Sequence, residues 1–182
     1  MKITQTGFDN LLILEPLVFE DSRGYFMESF NSETFRKAGI IFNPVQDNES
    51  KSSKGVIRGM HYQLRPFDQA KLIRVIEGKI LDVVIDIRKT SKTFGKWYAI
   101  ELDSENRKQL FIPKGFAHGF SVQSNSAVIQ YKCDNYYRLT AERGISISDP
   151  ALGIDWKTDL PRAIISEKDL KHPNFRLAEN NF

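Results

Sequence analysis

LIRVIEGKILDVVIDI, residues 72–87, reads as two strands folded about a turn. Leu72–Ile76 is an apolar, largely β-branched run, Glu77-Gly78-Lys79 has turn composition, and Ile80–Ile87 resumes the run. Within the second run Leu81, Val83, Ile85 and Ile87 alternate with Asp82, Val84, Asp86 and Arg88, the period of two expected of a half-buried strand. Downstream, Trp97–Leu102, Gln109–Ile112, Gly119–Gln123 and Ala127–Lys132 repeat the pattern at the spacing of an all-β sandwich or barrel.

Upstream the signals are shorter. Residues 1–20 read as strands, with Leu11–Leu14 apolar, Pro16 as an interruption and Val18-Phe19 resuming. Asp21–Gly24 has turn composition and Tyr25–Phe30 reads as a strand carrying Glu28. Ser32–Ala38 is the one clear early helix, capped by Asn31 or Ser32 and closed by Gly39. The polar stretch Gln46–Lys54 reads as a loop, and a short helix is expected to start at Ser166. With no repeat, linker or low-complexity tract, one β domain over residues 1–182 with short peripheral helices is the economical architecture.

Composition narrows the function classes. Hydrophobic residues make up 41% and charged residues 27%, ordinary for a soluble globular protein, and 13 phenylalanines against 3 methionines suit a β-rich interior. A net charge of +3 with scattered basic residues leaves no nucleic-acid footprint. The single cysteine, Cys133, excludes an internal disulfide framework and fits a reducing, cytoplasmic compartment. The N-terminal apolar patch Leu11–Leu14 is too short for a signal segment or a membrane span.

The chemistry gathers in GVIRGMHYQLRPFDQAKLIR, residues 55–74. Arg58, Arg74 and Lys71 suit an anion, and His61 is the side chain best able to move a proton near neutral pH. In isolation the favoured reading of His61 is a core histidine satisfied by backbone. Arg58 and His61 differ by three, so on a regular strand they face opposite ways. If both line a site, an irregularity is expected at Gly59. His61, Gln63, Asp68 and His118 together also form a set chemically able to hold a metal.

IPKGFAHGF (112–120) resembles the second Pro-x-Gly-x-x-His motif of the cupins. GVIRGMHYQ (55–63), QAKLIRVIEGKILDVVIDIRKTSKTFGKW (69–97), DSRGYFMESF (21–30), YKCDNYY (131–137), ERGISISDPALGIDW (142–156) and ISEKD (165–169) resemble the nucleotide-sugar epimerases of that superfamily. The resemblance is to the dTDP-4-dehydrorhamnose 3,5-epimerase family. It implies a double-stranded β-helix jelly roll, a dTDP-linked 4-keto-6-deoxy sugar as substrate, a homodimer, and neither metal nor redox cofactor.

It implies site residues too. His61 would be the base, Asp169 its orienting carboxylate, Tyr131 the acid on the opposite face and Lys71 the cation near the ketone oxygen. Arg58 and His118 would contact the diphosphate and Tyr137 would stack on the thymine. Arg23, Glu28, Gln46, Asp47, Asn48 and Glu142 would contact substrate, several of them from a partner subunit. For Asp169 a second reading stays open, since Ser166-Glu167-Lys168-Asp169 also has the pattern of a helix-start capping box. An epimerase of one carbon only, a metal-dependent cupin oxygenase and a sugar-binding cupin without catalysis are the alternatives.

Overall fold

A computed structural model describes residues 1–182. In chain order the strands are β1 (Lys2–Gln5), β2 (Leu12–Glu15), β3 (Val18–Asp21), β4 (Gly24–Met27), β5 (Gln46–Ser53), β6 (Ile57–Gln63) and β7 (Lys71–Glu77), followed by β8 (Lys79–Asp86), β9 (Trp97–Asp103), β10 (Gln109–Ile112), β11 (Phe116–Val122), β12 (Ser126–Cys133) and β13 (Glu142–Gly144). One helix, α1 (Ser32–Lys37), precedes β5, and single-turn helices lie at Leu160–Arg162, Asp169–Lys171 and Phe175–Leu177. The strands form a six-stranded sheet, β1-β2-β10-β7-β12-β5, a five-stranded sheet, β13-β6-β11-β8-β9, and a β3-β4 ribbon, with every strand pair antiparallel.

The apolar alternation decides how the sheets stack. Ile73 and Val75 of β7 and Ile129 of β12 meet Ile80 and Val84 of β8 and Phe120 of β11 in one buried cluster between the sheets. The outer face of the five-stranded sheet, with Leu81, Val83, Ile85, Met60 and Tyr62, is covered by Ile145, Ile147 and Trp156 from the chain after β13. The outer face of the six-stranded sheet, with Leu12, Leu14, Leu72 and Phe111, is covered by Phe35, Ile40 and Phe42 in and after α1. The result is the expected all-β jelly roll of cupin type.

Several local expectations change. Gln46–Ser53 is an eight-residue edge strand rather than a loop, paired with β12 along its whole length. Its side chains are all polar, so hydrophobic periodicity is silent there; backbone pairing forms the strand. The strand expected over Tyr25–Phe30 ends at Met27, leaving Glu28 beyond it, and β11 begins at Phe116 rather than Gly119. β8 is buried on both faces rather than one, with Asp82 and Asp86 each 0% exposed. Asp86 is satisfied by Arg88, Ser91 and Thr93, so its polarity marks an internal hydrogen-bond network and not solvent.

α1 starts where its composition says. The Asn31 side chain accepts from the Glu33 and Thr34 N–H groups, a cap worth about 1 kcal/mol, and Gly39 follows with φ +76°. The irregularity expected at Gly59 is also present. His61 pairs with His118 while Arg58 pairs with Phe120, so β6 carries one residue more than β11 over this interval. Gly59 has φ +129°, and a Cβ there would stand 2.5 Å from the Gly119 Cα, which reserves the position for glycine. The extra residue lets Ile57 and Met60 pack outward while Arg58 and His61 share the inner face.

Candidate active site

A cavity of ≈ 250 Å³ opens between the two sheets. Its lining includes His61, Gln63 and Glu142 from the five-stranded sheet and its edge, and Gln46, Asn48, Lys71 and Tyr131 from the six-stranded sheet. The register explains the second group. Tyr131 pairs with Asn48 and with Ile73, and Cys133 pairs with Gln46 and with Lys71, so these side chains share the inner face.

His61 is held by its carboxylate. Its Nε2 lies 2.7 Å from Asp169 Oδ1, while Gly59 N–H donates to Asp169 Oδ2 at 3.3 Å. Burial pushes the Asp169 carboxyl up, but the hydrogen bond and charge of His61, then the Gly59 N–H, bring it below the ordinary carboxylate value. An ionised carboxylate only accepts, so Nε2 carries the proton and Nδ1 keeps the free lone pair. The capping alternative for Asp169 is half realised. Ser166 Oγ accepts from the Asp169 N–H at 3.1 Å, yet the Asp169 carboxylate is directed to His61 rather than back to Ser166.

On the opposite wall Lys71 Nζ lies 5.9 Å from the centroid of the Tyr131 ring and has no anionic partner. Burial lowers the Lys71 pKa, against the opposing charges of Cys133, Asp82 and Glu142. Burial raises the Tyr131 phenol; Cys133 and Glu142 add to this and Arg58 opposes it. Tyr131 is therefore protonated throughout the physiological range.

Around this centre Tyr137 Oη donates to Glu142 at 2.6 Å, which pushes the phenol up to about 12. Lys168 Nζ pairs with the same carboxylate at 2.5 Å. Gln46 joins Asn48 at 2.9 Å and accepts from the Tyr137 N–H at 3.0 Å. Arg58 donates to Ser52 at 3.0 Å, and buried His118 sits on Asp82 at 2.9 Å; both flank His61 without lining the cavity. Three expected contacts lie elsewhere. Asp47 sits between Gln46 and Asn48 and pairs with Lys132 at 2.7 Å, whereas Arg23 lies in the β3–β4 turn, engaged with Asp21, and Glu28 just past the end of β4, engaged with Asn31.

The set His61, Gln63, Asp68 and His118 does not converge as a metal centre. The Gln63 amide joins Phe67 O, Tyr136 O and the Arg138 N–H, and Asp68 turns to Arg65 at 3.9 Å. Gln63 instead organises the chain after β12, a role that its alternation with His61 hinted at only by placing it on the same face. Two further residues carry no signal in the sequence: Gln69 lines the cavity and His172 adjoins His61.

Residues 5–176 match the model of the dTDP-4-dehydrorhamnose 3,5-epimerase family. The dTDP-4-dehydrorhamnose 3,5-epimerase of Shigella flexneri is 49% identical over 96% of each chain. The crystal structure of the enzyme of that name from Elizabethkingia anophelis superposes with a TM-score of 0.92 at 47% identity over 97% of each chain. The epimerase of Legionella pneumophila, solved in complex with dTDP-4-keto-L-rhamnose, gives 0.92 at 44% identity, covering 97% of this chain and 93% of its own. With a histidine–carboxylate pair on one wall and a tyrosine and lysine on the other, the chain belongs to the dTDP-4-dehydrorhamnose 3,5-epimerase family.

Proposed function

We propose that this chain inverts carbons 3 and 5 of dTDP-4-dehydro-6-deoxy-D-glucose, giving dTDP-4-dehydro-L-rhamnose, with His61 as base and Tyr131 as acid. The observation that carries this reading is the facing arrangement of His61–Asp169 and Tyr131–Lys71 in one cavity. The 4-keto group acidifies the protons on both neighbouring carbons, because either carbanion delocalises onto the same oxygen. His61 Nδ1 takes the proton, and the resulting imidazolium faces the Asp169 carboxylate. Lys71 offers its ammonium to the enolate oxygen. Tyr131 delivers a proton to the other face of the ring, and its phenolate is reprotonated from solvent as His61 releases its proton. The second carbon repeats the cycle.

Arg58 and His118 are read as diphosphate contacts, Tyr137 as the platform for thymine, and Gln46, Asn48 and Glu142 as sugar or nucleotide contacts. Arg23, Glu28 and Asp47 stand outside the cavity of the single chain, and we assign the first two to the cavity of a partner. The β3–β4 ribbon supports this assignment, since Phe19 and Phe26 are 58% and 66% exposed there. A homodimer would cover them and carry Arg23 and Glu28 across. The lone, buried Cys133 supports a cytoplasmic setting, and no helix is long and apolar enough to cross a membrane.

The test is incubation with dTDP-4-keto-6-deoxyglucose in heavy water, reading deuterium and configuration at each sugar carbon. Label and inversion at carbons 3 and 5 are expected. Label at one carbon would make the chain a single-site epimerase, and no label with intact substrate and folded protein would sink the reading.

A further inference from the structure

His172 has no part in the chemistry above, yet its ring lies edge-to-face against His61, with centroids 5.5 Å apart and planes at 88°. Two independent features put it there. The residue opposite His61 in the β6–β13 register is Gly144, and any Cβ at Gly144 would run into the His172 ring. The cross-strand place beside His61 is thus left vacant by one residue and filled by another. The second feature is the single helical turn Asp169–Lys171, closed by the His172 N–H on Asp169 O at 3.3 Å. Residues three apart eclipse on such a turn, so one short segment presents both Asp169 and His172 to the same imidazole. Pro173 O anchors the segment by accepting from the Ser146 N–H at 2.8 Å.

We infer that His172 is a positioning residue for the proposed base: its ring occupies the place that Gly144 vacates and holds the plane of His61 against Asp169. The inference rests on the assignment of His61 as base. His172 Nδ1 is buried without a hydrogen-bond partner, so packing, not a bond at that nitrogen, locates the ring. The charged and titratable groups facing it are His61 from β6, Glu142 from β13, and Asp169 and Lys168 from its own segment. Burial first, then the charge of His61, holds His172 below the ordinary histidine value, so it is a neutral wedge at neutral pH.

Deuterium-exchange kinetics, resolved into kcat and KM, for His172→Ala, His172→Phe, Gly144→Ala and the Gly144→Ala/His172→Ala double variant test this. His172→Ala should lower kcat on the order of ten-fold with little change in KM. His172→Phe, which restores a flat ring, should recover most of kcat. Gly144→Ala should displace the ring and reproduce the loss in the native background, but add nothing once His172 is alanine. A native kcat in His172→Ala, a loss carried by KM instead, or additive losses in the double variant would overturn the inference. His61→Ala in the same assay separates the two levels. If exchange persists in it, the base assignment fails; if exchange stops while His172→Ala behaves as native, only the positioning role fails.

Discussion

Two histidine–carboxylate pairs stand side by side in this protein, built from the same chemistry and placed differently. His61–Asp169 closes at 2.7 Å and His118–Asp82 at 2.9 Å, and His61 is opposite His118 in the β6–β11 register. Asp82 comes from a central strand and is 0% exposed, while the side chain of its histidine keeps 9% of its surface. Asp169 comes from a helical turn far along the chain, and the side chain of its histidine keeps 32% and lines the cavity. A histidine enclosed on all sides can only brace the sheet or touch a ligand at its edge. One with a ring nitrogen open to a cavity can exchange a proton with what enters it.

The largest effect that sharpens this contrast is on exchange. His61→Ala should remove deuterium incorporation at both carbons, a loss on the order of 10²–10⁴-fold in rate. His118→Ala should weaken substrate binding while exchange persists at saturating substrate. The reverse outcome would exchange the roles of the two pairs.

Stability should rank the pairs the other way. Asp82→Ala leaves His118 enclosed without its partner, and urea unfolding should register a loss of about 3 kcal/mol. Asp169→Ala leaves His61 beside a cavity where water can replace the carboxylate, so about 1 kcal/mol is expected. Equal losses would mean that the difference in enclosure has no energetic content.

How far the sequence discloses this contrast varies along the chain. Alternation around Ile73, Val83 and Ile129 carries the sheets, because apolar side chains on one face leave a period of two. The same reasoning foresees a break at Gly59, since Arg58 and His61 cannot otherwise share a face. It fails at Gln46–Ser53, where every side chain is polar and the strand exists through its pairing with β12. Once that strand is known, alternation separates Gln46 and Asn48 from Asp47. Asp82 is hidden for a related reason: in sequence it reads as the solvent side of a half-buried strand, and only the second sheet turns that side into interior. His172 follows Asp169 by three, a signal without meaning until the turn between them is known to be helical.

A smaller effect concerns the wall that only the open pair faces. Burial draws the Lys71 ammonium down from its ordinary value and drives the Tyr131 phenol up. Loss of the Lys71 charge is thereby brought to lower pH, and loss of the Tyr131 proton moved to higher pH. The basic limb of kcat should belong to Lys71 and start below the ordinary lysine value, about 10.4. Tyr131→Phe should lower the rate without moving that limb, measured by exchange against pH. A limb that vanishes with the phenol would assign it to Tyr131.

The smallest effect asks whether Asp169 is ionised, on which the reactive nitrogen of His61 depends. In the folded protein burial raises its carboxyl, and the hydrogen bond and charge of His61 with the Gly59 N–H bring it below the ordinary value. A depressed carboxyl stabilises the fold above its unfolded pKa, about 3.9, and that contribution fades as pH falls through the lower folded value. Asparagine cannot ionise, so the gap in urea midpoint between the native chain and Asp169→Asn should hold above about pH 4 and shrink below it. Asp86 and Glu142, also depressed, are present in both proteins and cancel in the difference. A gap that stays constant through the acid range would mean that Asp169 is a neutral acid donating its own proton to His61 Nε2. Nδ1 would then carry a proton, the ring would have no lone pair to offer the cavity, and the open pair would be as inert toward a carbon acid as the enclosed one.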